Sequence, residues 1–359
     1  MIQILVMALV MNFDISISLN ISGTNNDCFE YGIDYIGFDL DDGHYVSTDG
    51  ALACQLKCQE TSDCIFWTWD PYYHSACWRK WGKGETRVDE TLISGPKDCG
   101  QVTTIKPNLD VIRTMSYNMF GWNALHDPWK TENLYRTIKE FEPDLLGAQE
   151  VGEFSYQVAE NIGNDYVVAS HGGSSAGHAI LYRSSIFNLI SAGYENIAEH
   201  DKYGQRTVEY AQFIHKPSGR LIDHFNTHFC ICDETGTCCG PEPLLNSART
   251  VEDAMERYRR PGSLIILTGD LNVFGGYENH SAIKYLKGEL DGEKPPFILE
   301  DTFREVNDAS VDGTTFPNKG KIDYVFANQG TEIQSANIDR NWYGDASDHW
   351  PINAVIKVY

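Results

Sequence analysis

The distribution of cysteines is the feature of this 359-residue sequence that most limits its fold. Of the 10 cysteines, one group lies within residues 28–99 and a second, smaller group lies within residues 230–239. Even numbers in two separate groups indicate two sets of disulfides formed in an oxidising compartment. The first group predicts a small disulfide-bonded domain, whereas the second lies inside a much longer region that has no other cysteines.

The sequence leaves open the pairing within the second group, which comprises Cys230, Cys232, Cys238 and Cys239. One or two disulfides there would brace a loop, and a zinc site of four thiolates is the alternative. We favour disulfides, because the adjacent Cys238 and Cys239 suit tetrahedral geometry poorly and because export favours oxidation.

The first residues form an apolar run, Ile2–Met11, that only Gln3 interrupts. The run is shorter than the roughly 20 residues needed to cross a bilayer, but it has the length of a signal-peptide core. The sequence therefore predicts a signal peptide over residues 1–18 and a secreted protein, with a buried N-terminal strand as the alternative. No second apolar stretch approaches the length of a membrane span, so no transmembrane segment is expected.

The composition is that of a globular protein, with 42% hydrophobic and 22% charged residues, and the length suggests two domains. The 51 acidic residues outnumber the 28 basic residues and give a net charge of −23. Such a charge argues against a protein that holds nucleic acid by a basic surface. It does not exclude an enzyme that meets phosphates through bound cations.

A polar linker is predicted over residues 100–108, and residues 109–359 then alternate strand-like and helix-like patterns. Strand patterns cover Val111–Met119, Leu145–Val151, His178–Tyr182, Thr207–Ile214, Leu221–Phe229, Leu264–Leu267, Ile322–Ala327 and Ile352–Val358. Helical patterns cover Trp129–Phe141 and Asn246–Arg259. This alternation indicates an α/β domain with layers around a large core.

Within the first domain, Cys54 and Cys58 stand four residues apart in the helical stretch Ala51–Gln59 and therefore project from one helix face. Two disulfides from that face would hold the helix against a small sheet. Such bonds suit a small domain, whose core alone gives a thin stability margin. The sequence thus predicts a disulfide-rich α+β domain whose aromatic residues mostly fill its core, with a carbohydrate platform as their alternative role.

Residues 28–99 resemble the PAN/Apple family. The matching features are Cys28 with Glu30-Tyr31-Gly32, then Cys54-x3-Cys58-x5-Cys64, Cys77-Trp78, and Ser94-Gly95-Pro96-Lys97 before Cys99. The resemblance implies the disulfides Cys28–Cys99, Cys54–Cys77 and Cys58–Cys64. It also implies a non-catalytic module that binds a protein or a glycan.

In the longer region, polar clusters stand at the ends of strand-like segments. They are Asn118, Gln149-Glu150, Asn226-Thr227-His228, Asp270-Leu271-Asn272, Asp323 and Ser347-Asp348-His349. Functional sites collect where strand ends converge in layered α/β domains. Carboxylates bind Mg²⁺, amides orient phosphate oxygens and histidines move protons. Each cluster alone is typical of a turn, a cap or a surface, but the ordered set predicts phosphoester chemistry with a hard cation.

This ordered set resembles the endonuclease/exonuclease/phosphatase superfamily, which includes deoxyribonucleases, abasic-site endonucleases, deadenylases, sphingomyelinases and inositol-phosphate 5-phosphatases. The matching strings are Ser116-Tyr117-Asn118, Gly147-Ala148-Gln149-Glu150-Val151, Asn226-Thr227-His228-Phe229, Thr268-Gly269-Asp270-Leu271-Asn272, Ile322-Asp323-Tyr324-Val325 and Ser347-Asp348-His349-Trp350-Pro351. The resemblance covers residues 108–359. It implies a four-layer α/β sandwich of two facing mixed sheets flanked by helices, with the site at the top of the sheets.

The resemblance also implies a role for each residue of the set. Glu150 and Asp348 would ligate Mg²⁺, with Mn²⁺ as the alternative metal. Asp270 and Asn272 would position the phosphate and the attacking water, while Asp323 would orient His349 as the general base. The remaining roles are those of His228, which would stabilise the developing oxyanion or protonate the leaving oxygen, and of Asn118 and Arg206, which would contact phosphate.

Two points stay open in this assignment. A surface salt bridge is the alternative role of Arg206. In addition, pancreatic-type deoxyribonucleases place a glutamate near the strand that here contains Gly177-His178-Ala179-Ile180, and this strand has no acid. That departure weakens the proton-donor role of His228 and the deoxyribonuclease interpretation in particular.

Together these patterns predict a secreted, Mg²⁺-dependent phosphoric ester hydrolase that cleaves phosphodiester bonds. Nucleic acid is the expected substrate, and the Apple-like module would target the enzyme to its ligand. A lipid or inositol-phosphate phosphoesterase is the alternative within the enzyme class, and a non-catalytic extracellular binding protein is the alternative outside it. The intact set of acids and histidines favours an enzyme.

Overall fold

The computed structural model describes residues 28–97, 110–172, 177–232, 238, 240–274, 280–317, 319–340 and 346–358. The predicted signal peptide (1–18), the predicted linker (100–108) and two of the cysteines, Cys99 and Cys239, lie outside these residues.

The N-terminal unit is a five-stranded antiparallel sheet with one α-helix packed against it. Its elements are β1 (Glu30–Ile36), β2 (Val46–Ser47), α1 (Ala51–Glu60), β3 (Phe66–Asp70), β4 (Ala76–Lys80) and β5 (Glu85–Pro96). The strand order is β1-β5-β3-β4-β2. The sequence therefore predicted the α+β character of this unit and the position of its helix.

Two disulfides attach α1 to the rest of the unit. Cys54 is bonded to Cys77 on β4, and Cys58 is bonded to Cys64 in the turn after the helix. These are the pairs that the sequence analysis implied for these four cysteines. Cys28 is also disulfide-bonded, and Cys99, its expected partner, lies outside the described residues.

The aromatic residues of this unit divide between core and surface. Trp67 and Trp69 are fully buried and pack with the α1 disulfides. Tyr72, Tyr73 and Trp81 are exposed, so the expectation that these aromatics mostly fill the core holds for only part of the set.

The N-terminal unit packs against the larger domain at the turn that contains Lys216 and Ser218, which joins two strands of that domain. The Tyr31 hydroxyl donates to the carbonyl of Lys216 at 3.0 Å. The backbone N–H of Leu52 donates to the carbonyl of Ser218 at 3.1 Å. Leu221, at the start of a strand of the larger domain, belongs to the same apolar cluster as Trp67. The two units thus share a small buried core.

The larger domain begins at β6 and alternates strands with helices. Its strands are β6 (Val111–Asn118), β7 (Leu145–Gln149), β8 (Tyr166–His171), β9 (Ala179–Arg183), β10 (Phe187–Asp201), β11 (Gly204–His215), β12 (Leu221–His228), β13 (Leu264–Asp270), β14 (Leu299–Asp301), β15 (Asp323–Asn328), β16 (Ile333–Ile338) and β17 (Ile352–Lys357). Its helices are α2 (Gly121–Ala124), α3 (Pro128–Phe141), α4 (Ser155–Ile162), α5 (Pro241–Tyr258), α6 (Ser281–Leu286) and α7 (Thr302–Val306).

These strands form two six-stranded mixed sheets that face each other. One sheet has the order β10-β11-β12-β13-β15-β14, and the other has the order β16-β17-β6-β7-β9-β8. Apolar side chains from both sheets, among them Ile112, Leu145, Phe213 and Ile266, fill the space between them. Helices α5 and α6 cover the outer face of the first sheet, and α3 and α4 cover that of the second. The four-layer α/β sandwich predicted from the sequence is confirmed.

The two sheets are in close contact where a glycine faces a polar network. A Cβ added to Gly147 on β7 would lie 1.9 Å from Thr268 Oγ1 and 2.6 Å from Asn226 Oδ1. Asn226 Oδ1 accepts hydrogen bonds from Thr268 Oγ1 at 2.9 Å and from Gln149 Nε2 at 2.7 Å. These contacts join the sheets directly beneath the strand ends that carry the predicted site, and only glycine leaves room for them.

Within the part of the chain that the structure describes, no helix has the length and apolar character needed to cross a membrane.

Candidate active site

The predicted site residues meet at one edge of the sandwich because of the directions of six strands. β6 and β7 are parallel, as are β12 and β13, and all four end at this edge. β15 and β17 are antiparallel to their neighbours and begin there. A cavity of about 580 Å³ opens at this edge. Its lining includes Glu150, Arg206, His228, Asp270, Asn272, Asp348 and His349.

Asn118, the last residue of β6, links the acids of the two sheets. Its Nδ2 donates to Glu150 Oε1 at 3.1 Å and to Asp270 Oδ2 at 3.0 Å. Its Oδ1 accepts from the backbone N–H of Phe120 at 3.1 Å, which fixes the orientation of the amide. The structure therefore places Asn118 between two carboxylates and fully buries it.

Two of the site residues have left-handed backbone conformations, which are uncommon for residues other than glycine. Glu150 has a φ of 55°, and Asn272 has a φ of 50°. The carbonyl of Glu150 accepts from Gly121 N at 2.8 Å, and the N–H of Asn272 donates to Asp270 Oδ1 at 3.0 Å. Such conformations cluster at functional sites, where the surrounding structure holds them.

His349 and Asp323 form a buried dyad. Nδ1 of His349 lies 2.9 Å from Asp323 Oδ2, and Nε2 lies 3.8 Å from Asp270 Oδ2. Burial by itself would lower the pKa of His349, but the charge and hydrogen bond of Asp323, followed by Asp270 and Asp348, raise that pKa to about 10. The dyad therefore fixes the ring so that Nε2 faces the cavity and Nδ1 faces the acid.

Asp270 lies at the centre of the site. Besides the bonds from Asn118 and Asn272, its Oδ2 lies 3.3 Å from Nε2 of His228. Burial and then the charge of Asp323 raise the pKa of Asp270 to about 7. Burial also raises the pKa of Glu150. Burial, more than neighbouring charge, thus favours the protonated form of both carboxylates.

His228 is the second imidazole of the cavity. Burial, and then the nearby charge of Arg206, lower its pKa well below the ordinary value, so the ring is neutral at pH 7. Its Nδ1 has no hydrogen-bond partner among the described residues. The sequence analysis found no supporting acid in the strand that contains His178. In the structure, the ring centroid of His178 is 5.7 Å from that of His228.

Arg206 lies at the side of the cavity and is only 2% exposed. Its Nε and Nη2 donate to Asp201 Oδ2 at 3.1 and 2.5 Å. The alternative of a surface salt bridge is therefore wrong, because this ion pair is buried. Asp201 was not predicted from the sequence, since a lone acid in a hairpin carries no signal beyond a turn.

The residues present fit a hard divalent cation. Ligand atoms of Asp270, Asp323 and His349 all lie within 4.8 Å of one another. Glu150 is joined to Asp270 through Asn118, and Asp348, which is 45% exposed, lies at the rim with Oδ1 4.0 Å from His349 Nε2. Carboxylate and amide oxygens are the ligands that Mg²⁺ and Mn²⁺ favour. A cation would stabilise the ionised forms of Glu150 and Asp270, whose pKa values burial raises.

An aromatic rim surrounds the mouth of the cavity, which the sequence analysis did not predict. It consists of Phe120, Trp122, Phe154, Tyr203, Phe274 and Phe316. Trp122 is 62% exposed, and the ring centroid of Phe316 lies 4.7 Å from that of His349. These residues come from five separate segments, so no local pattern in the sequence predicts that they lie together.

The loop after β12 is closed by a disulfide. Cys230 is bonded to Cys238, and Cys232 is also disulfide-bonded. The alternative of a zinc site made of four thiolates is therefore wrong, because these sulfurs are not thiolates. Cys239 lies outside the described residues.

Comparison with known proteins assigns this arrangement to a family. The model of the Endonuclease/Exonuclease/phosphatase family matches residues 115–349, which include the strand ends from Asn118 to His349. The chain belongs to this family. Members of the endonuclease/exonuclease/phosphatase family hydrolyse phosphoesters, and some depend on a divalent metal. No curated protein matches the chain at a significant level.

Solved structures share the fold at low sequence identity. An endonuclease/exonuclease/phosphatase from Bacteroides vulgatus is 22% identical over 69% of this chain and 99% of its own, with a TM-score of 0.55. D. rerio TDP2 complexed with a single-strand DNA product is 16% identical over 69% of this chain and 99% of its own, with a TM-score of 0.56. The human nocturnin catalytic domain with a bound sulfate is 15% identical over 70% of this chain and 95% of its own, with a TM-score of 0.55.

Proposed function

We propose that this protein is a secreted, Mg²⁺-dependent phosphodiesterase whose substrate is a nucleic acid. The proposal rests on two groups that lie together at one cavity. One is a pair of acids that both accept a hydrogen bond from the same asparagine side chain, and the other is a carboxylate–imidazole dyad. The pair is Glu150 and Asp270, joined by Asn118, and the dyad is Asp323 and His349. Family membership supports phosphoester hydrolysis in general.

Glu150 and Asp348 would hold the metal, with Asn118 beside them. A bound Mg²⁺ would offset the negative charge of the phosphate and of the developing transition state. Mn²⁺ has the same preference for oxygen ligands and is the alternative.

The dyad supplies the general base in this proposal. Asp323 accepts the Nδ1 proton of His349, so Nε2 of the neutral ring is the nitrogen that would take a proton from the attacking water. The neighbouring acids raise the pKa of His349 to about 10, and a bound cation would offset their charge and favour this neutral ring. Asp270 and Asn272 line the cavity beside Nε2 and position the water and the phosphate. Because a phosphodiester is anionic and repels hydroxide, this positioning and the nearby cation must act together.

Two of the remaining polar residues act on the phosphate oxygens. Arg206 provides a fixed positive charge at the side of the cavity. The predicted phosphate contact of Asn118 is not supported, because its buried amide donates to Glu150 and Asp270 and therefore orients these acids instead. His228 is neutral, so its role is to donate a hydrogen bond to the developing oxyanion or to the leaving oxygen. The strand that contains His178 has no acid, and the carboxylate beside His228 is that of Asp270, whose Oδ2 lies 3.3 Å from Nε2.

The aromatic rim favours nucleic acid over an inositol phosphate. Every base has an apolar face that stacks on aromatic side chains, whereas an inositol ring carries hydroxyls or phosphates around its edge. The exposed Trp122 and the neighbouring Phe120, with ring centroids 5.0 Å apart, provide such a surface next to Glu150. A lipid phosphoesterase is the second candidate, since the same rim would also accept an apolar group.

The N-terminal unit is proposed to be a PAN/Apple-like module that binds a protein or a glycan. The small sheet, the single helix and the Cys54–Cys77 and Cys58–Cys64 disulfides support this assignment. The disulfides in both units also support the proposal of secretion, because such bonds persist in oxidising compartments.

A substrate panel tests the proposed function. The full chain is incubated with plasmid DNA, single-stranded DNA, RNA, sphingomyelin and inositol phosphates, each with Mg²⁺ and each with excess chelator. We expect hydrolysis of at least one nucleic acid with Mg²⁺ and none with chelator. Hydrolysis of sphingomyelin alone would favour the lipid alternative, and no hydrolysis of any substrate with Mg²⁺ or Mn²⁺ would refute the enzyme.

Metal binding is followed separately from activity. Mg²⁺ should raise the melting temperature of the wild-type chain, and Glu150→Gln should abolish that rise because it removes a charged ligand. Asp312→Asn, at an exposed acid that pairs with Arg340, is the matched control and should leave the rise unchanged. An equal Mg²⁺-dependent rise in Glu150→Gln would contradict the metal assignment.

The aromatic rim gives a prediction of its own. Trp122→Ala should raise KM for a single-stranded oligonucleotide about tenfold, because one base–aromatic stack contributes about 1–3 kcal/mol. KM for an abasic oligomer of the same length should not change. Trp81→Ala is the matched control, since Trp81 is 54% exposed but lies in the N-terminal unit. An equal rise in KM for both oligomers would show that the rim does not contact bases.

A further inference from the structure

The Asp201 carboxylate gathers hydrogen bonds from three separate parts of the active-site wall. Oδ1 accepts from the N–H of Tyr203 at 2.9 Å, within the hairpin between β10 and β11. Oδ2 accepts from both Nε and Nη2 of Arg206 and from the N–H of Ile231 at 2.9 Å. The Asp201 side chain has no exposed surface. A carboxylate this fully satisfied is held in one orientation.

Asp201 engages only one edge of the Arg206 guanidinium. Nε and Nη2 form that edge, and Nη1 lies on the other side of the planar group. Nη1 is buried and has no hydrogen-bond partner among the described residues. Arg206 lines the cavity together with His228 and Asp270, so the guanidinium that contains this unpaired nitrogen forms part of the wall that an anion there would contact. A buried donor left without a partner costs free energy that a bound anion would recover.

The disulfide-closed loop after β12 holds Asp201 from the other side. Ile231, whose N–H donates to Asp201, directly follows the disulfide-bonded Cys230 in the sequence, and its side chain lines the cavity. Cys238, the partner of Cys230, is buried with its Sγ 3.3 Å from the carbonyl oxygen of His200. The disulfide therefore packs against the residue that precedes Asp201.

We propose that Asp201 is a positioning residue that aims Arg206 at the substrate phosphate, and that the Cys230–Cys238 disulfide keeps Asp201 in place. The inference rests on the proposed phosphodiesterase function, and it assigns a role to the second cysteine group. An arginine side chain has many rotamers, and hydrogen bonds to one edge of its guanidinium remove most of that freedom before substrate binds. Asp201 itself does not touch the phosphate.

The first experiment measures kcat and KM for the phosphodiester that the panel identifies, with four variants. They are Asp201→Asn, Arg206→Ala, the double variant of both, and the control Asp223→Asn. Asp201→Asn should raise KM about tenfold, because it weakens the charge-assisted hydrogen bonds that fix the Arg206 guanidinium. Because Asp201 acts only through Arg206, the double variant should lose no more activity than Arg206→Ala alone.

Asp223→Asn controls for the loss of a buried acid–arginine pair. Asp223 accepts from Arg260 Nε at 2.8 Å and is equally buried, but it lies near the opposite end of β12. This variant should lower the melting temperature and leave KM unchanged. Additive losses in the Asp201→Asn/Arg206→Ala variant, or a wild-type KM in Asp201→Asn, would overturn the proposal.

A second readout does not depend on catalysis. Titration calorimetry with inorganic phosphate should give a Kd that rises in Asp201→Asn, in Arg206→Ala and in Cys230→Ala/Cys238→Ala. The variant Cys58→Ala/Cys64→Ala, in the N-terminal unit, is the control and should bind phosphate as wild type does. Unchanged phosphate affinity in the Cys230→Ala/Cys238→Ala variant would overturn the role of the loop.

The two readouts separate this inference from the proposed function. A wild-type chain that hydrolyses nothing but binds phosphate, and binds it more weakly in Asp201→Asn, would refute the enzyme and keep the positioning role. A wild-type chain that is active, with Asp201→Asn unchanged in KM and in phosphate Kd, would keep the enzyme and refute the positioning role.

Discussion

Replacing His349 with alanine is expected to lower kcat for phosphodiester hydrolysis by about 10³-fold, within the range usual for the loss of a general base. The physical reason is the geometry of the dyad. Asp323 holds Nδ1 at 2.9 Å, and the ring is buried, so Nε2 is fixed towards the cavity. Initial rates with saturating Mg²⁺ on the best substrate of the panel measure this loss.

Two further variants define what the His349→Ala result means. Asp323→Asn should lower kcat by about 10²- to 10⁴-fold, because the amide no longer stabilises the protonated ring. His215→Ala removes a buried histidine whose Nδ1 lies 2.8 Å from Ser218 Oγ at the far end of the domain, and it should leave kcat unchanged. A wild-type rate in His349→Ala would rule out the proposed general base.

Replacing Gly147 with alanine is expected to destabilise the larger domain by about 3 kcal/mol, at the upper end of the usual cost of overpacking. The added methyl group would lie 1.9 Å from Thr268 Oγ1. Neither that side chain nor Asn226 can move without breaking the Thr268–Asn226 hydrogen bond within one sheet or the Gln149–Asn226 hydrogen bond that joins the two sheets. The midpoint of urea unfolding, followed by tryptophan fluorescence, measures the change.

Gly50→Ala is the matched control for Gly147→Ala. A Cβ at Gly50 meets no atom closer than 3.5 Å, which is ordinary van der Waals contact. Its unfolding midpoint should stay close to that of the wild type. If Gly147→Ala unfolds at the same urea concentration as Gly50→Ala, the sheets are less closely joined at this point than the contacts indicate.

The strands that the sequence predicted are those whose apolar residues face the core on one or both sides. Leu264–Leu267 is a fully buried run at the centre of its sheet, and Val111–Met119 differs from the observed strand by one residue. The strands that it missed lie at or next to sheet edges, such as β10 (Phe187–Asp201) and β16 (Ile333–Ile338). Edge strands expose many side chains, so the apolar periodicity that marks a strand is weak there.

The start of helix α5 was predicted incorrectly because the residues there are typical of a turn. The sequence analysis began this helix at Asn246, whereas it starts at Pro241. Two prolines and a glycine, Gly240, Pro241 and Pro243, are typical of a turn, yet proline is tolerated in the first turn of a helix, where its missing N–H is not needed. The buried Leu244 and Leu245 then anchor that turn against the sheet.

The catalytic set was predictable because it lies at the ends of the strands that form the core. Glu150 and His349 are separated by most of the domain in sequence, but the strands that precede and follow them are neighbours of β6. Asp201 and the aromatic rim were not predictable, because they do not lie at the ends of core strands. They lie on hairpins and loops whose position depends on tertiary contacts, among them the Cys230–Cys238 disulfide, and no local pattern encodes those contacts.

Strand β12 separates the two ends of the larger domain. Leu221, at its start, packs with the N-terminal unit, and His228, at its end, lines the cavity. At about 3.3 Å per residue, these two residues stand about 23 Å apart. That distance is nearly three times the Debye length of about 8 Å in physiological salt, so exposed charge on a ligand of the N-terminal unit is screened from the cavity. If the proposed ligand anchors the molecule by that unit, the electrostatic field in the cavity should therefore stay as it is in the free molecule.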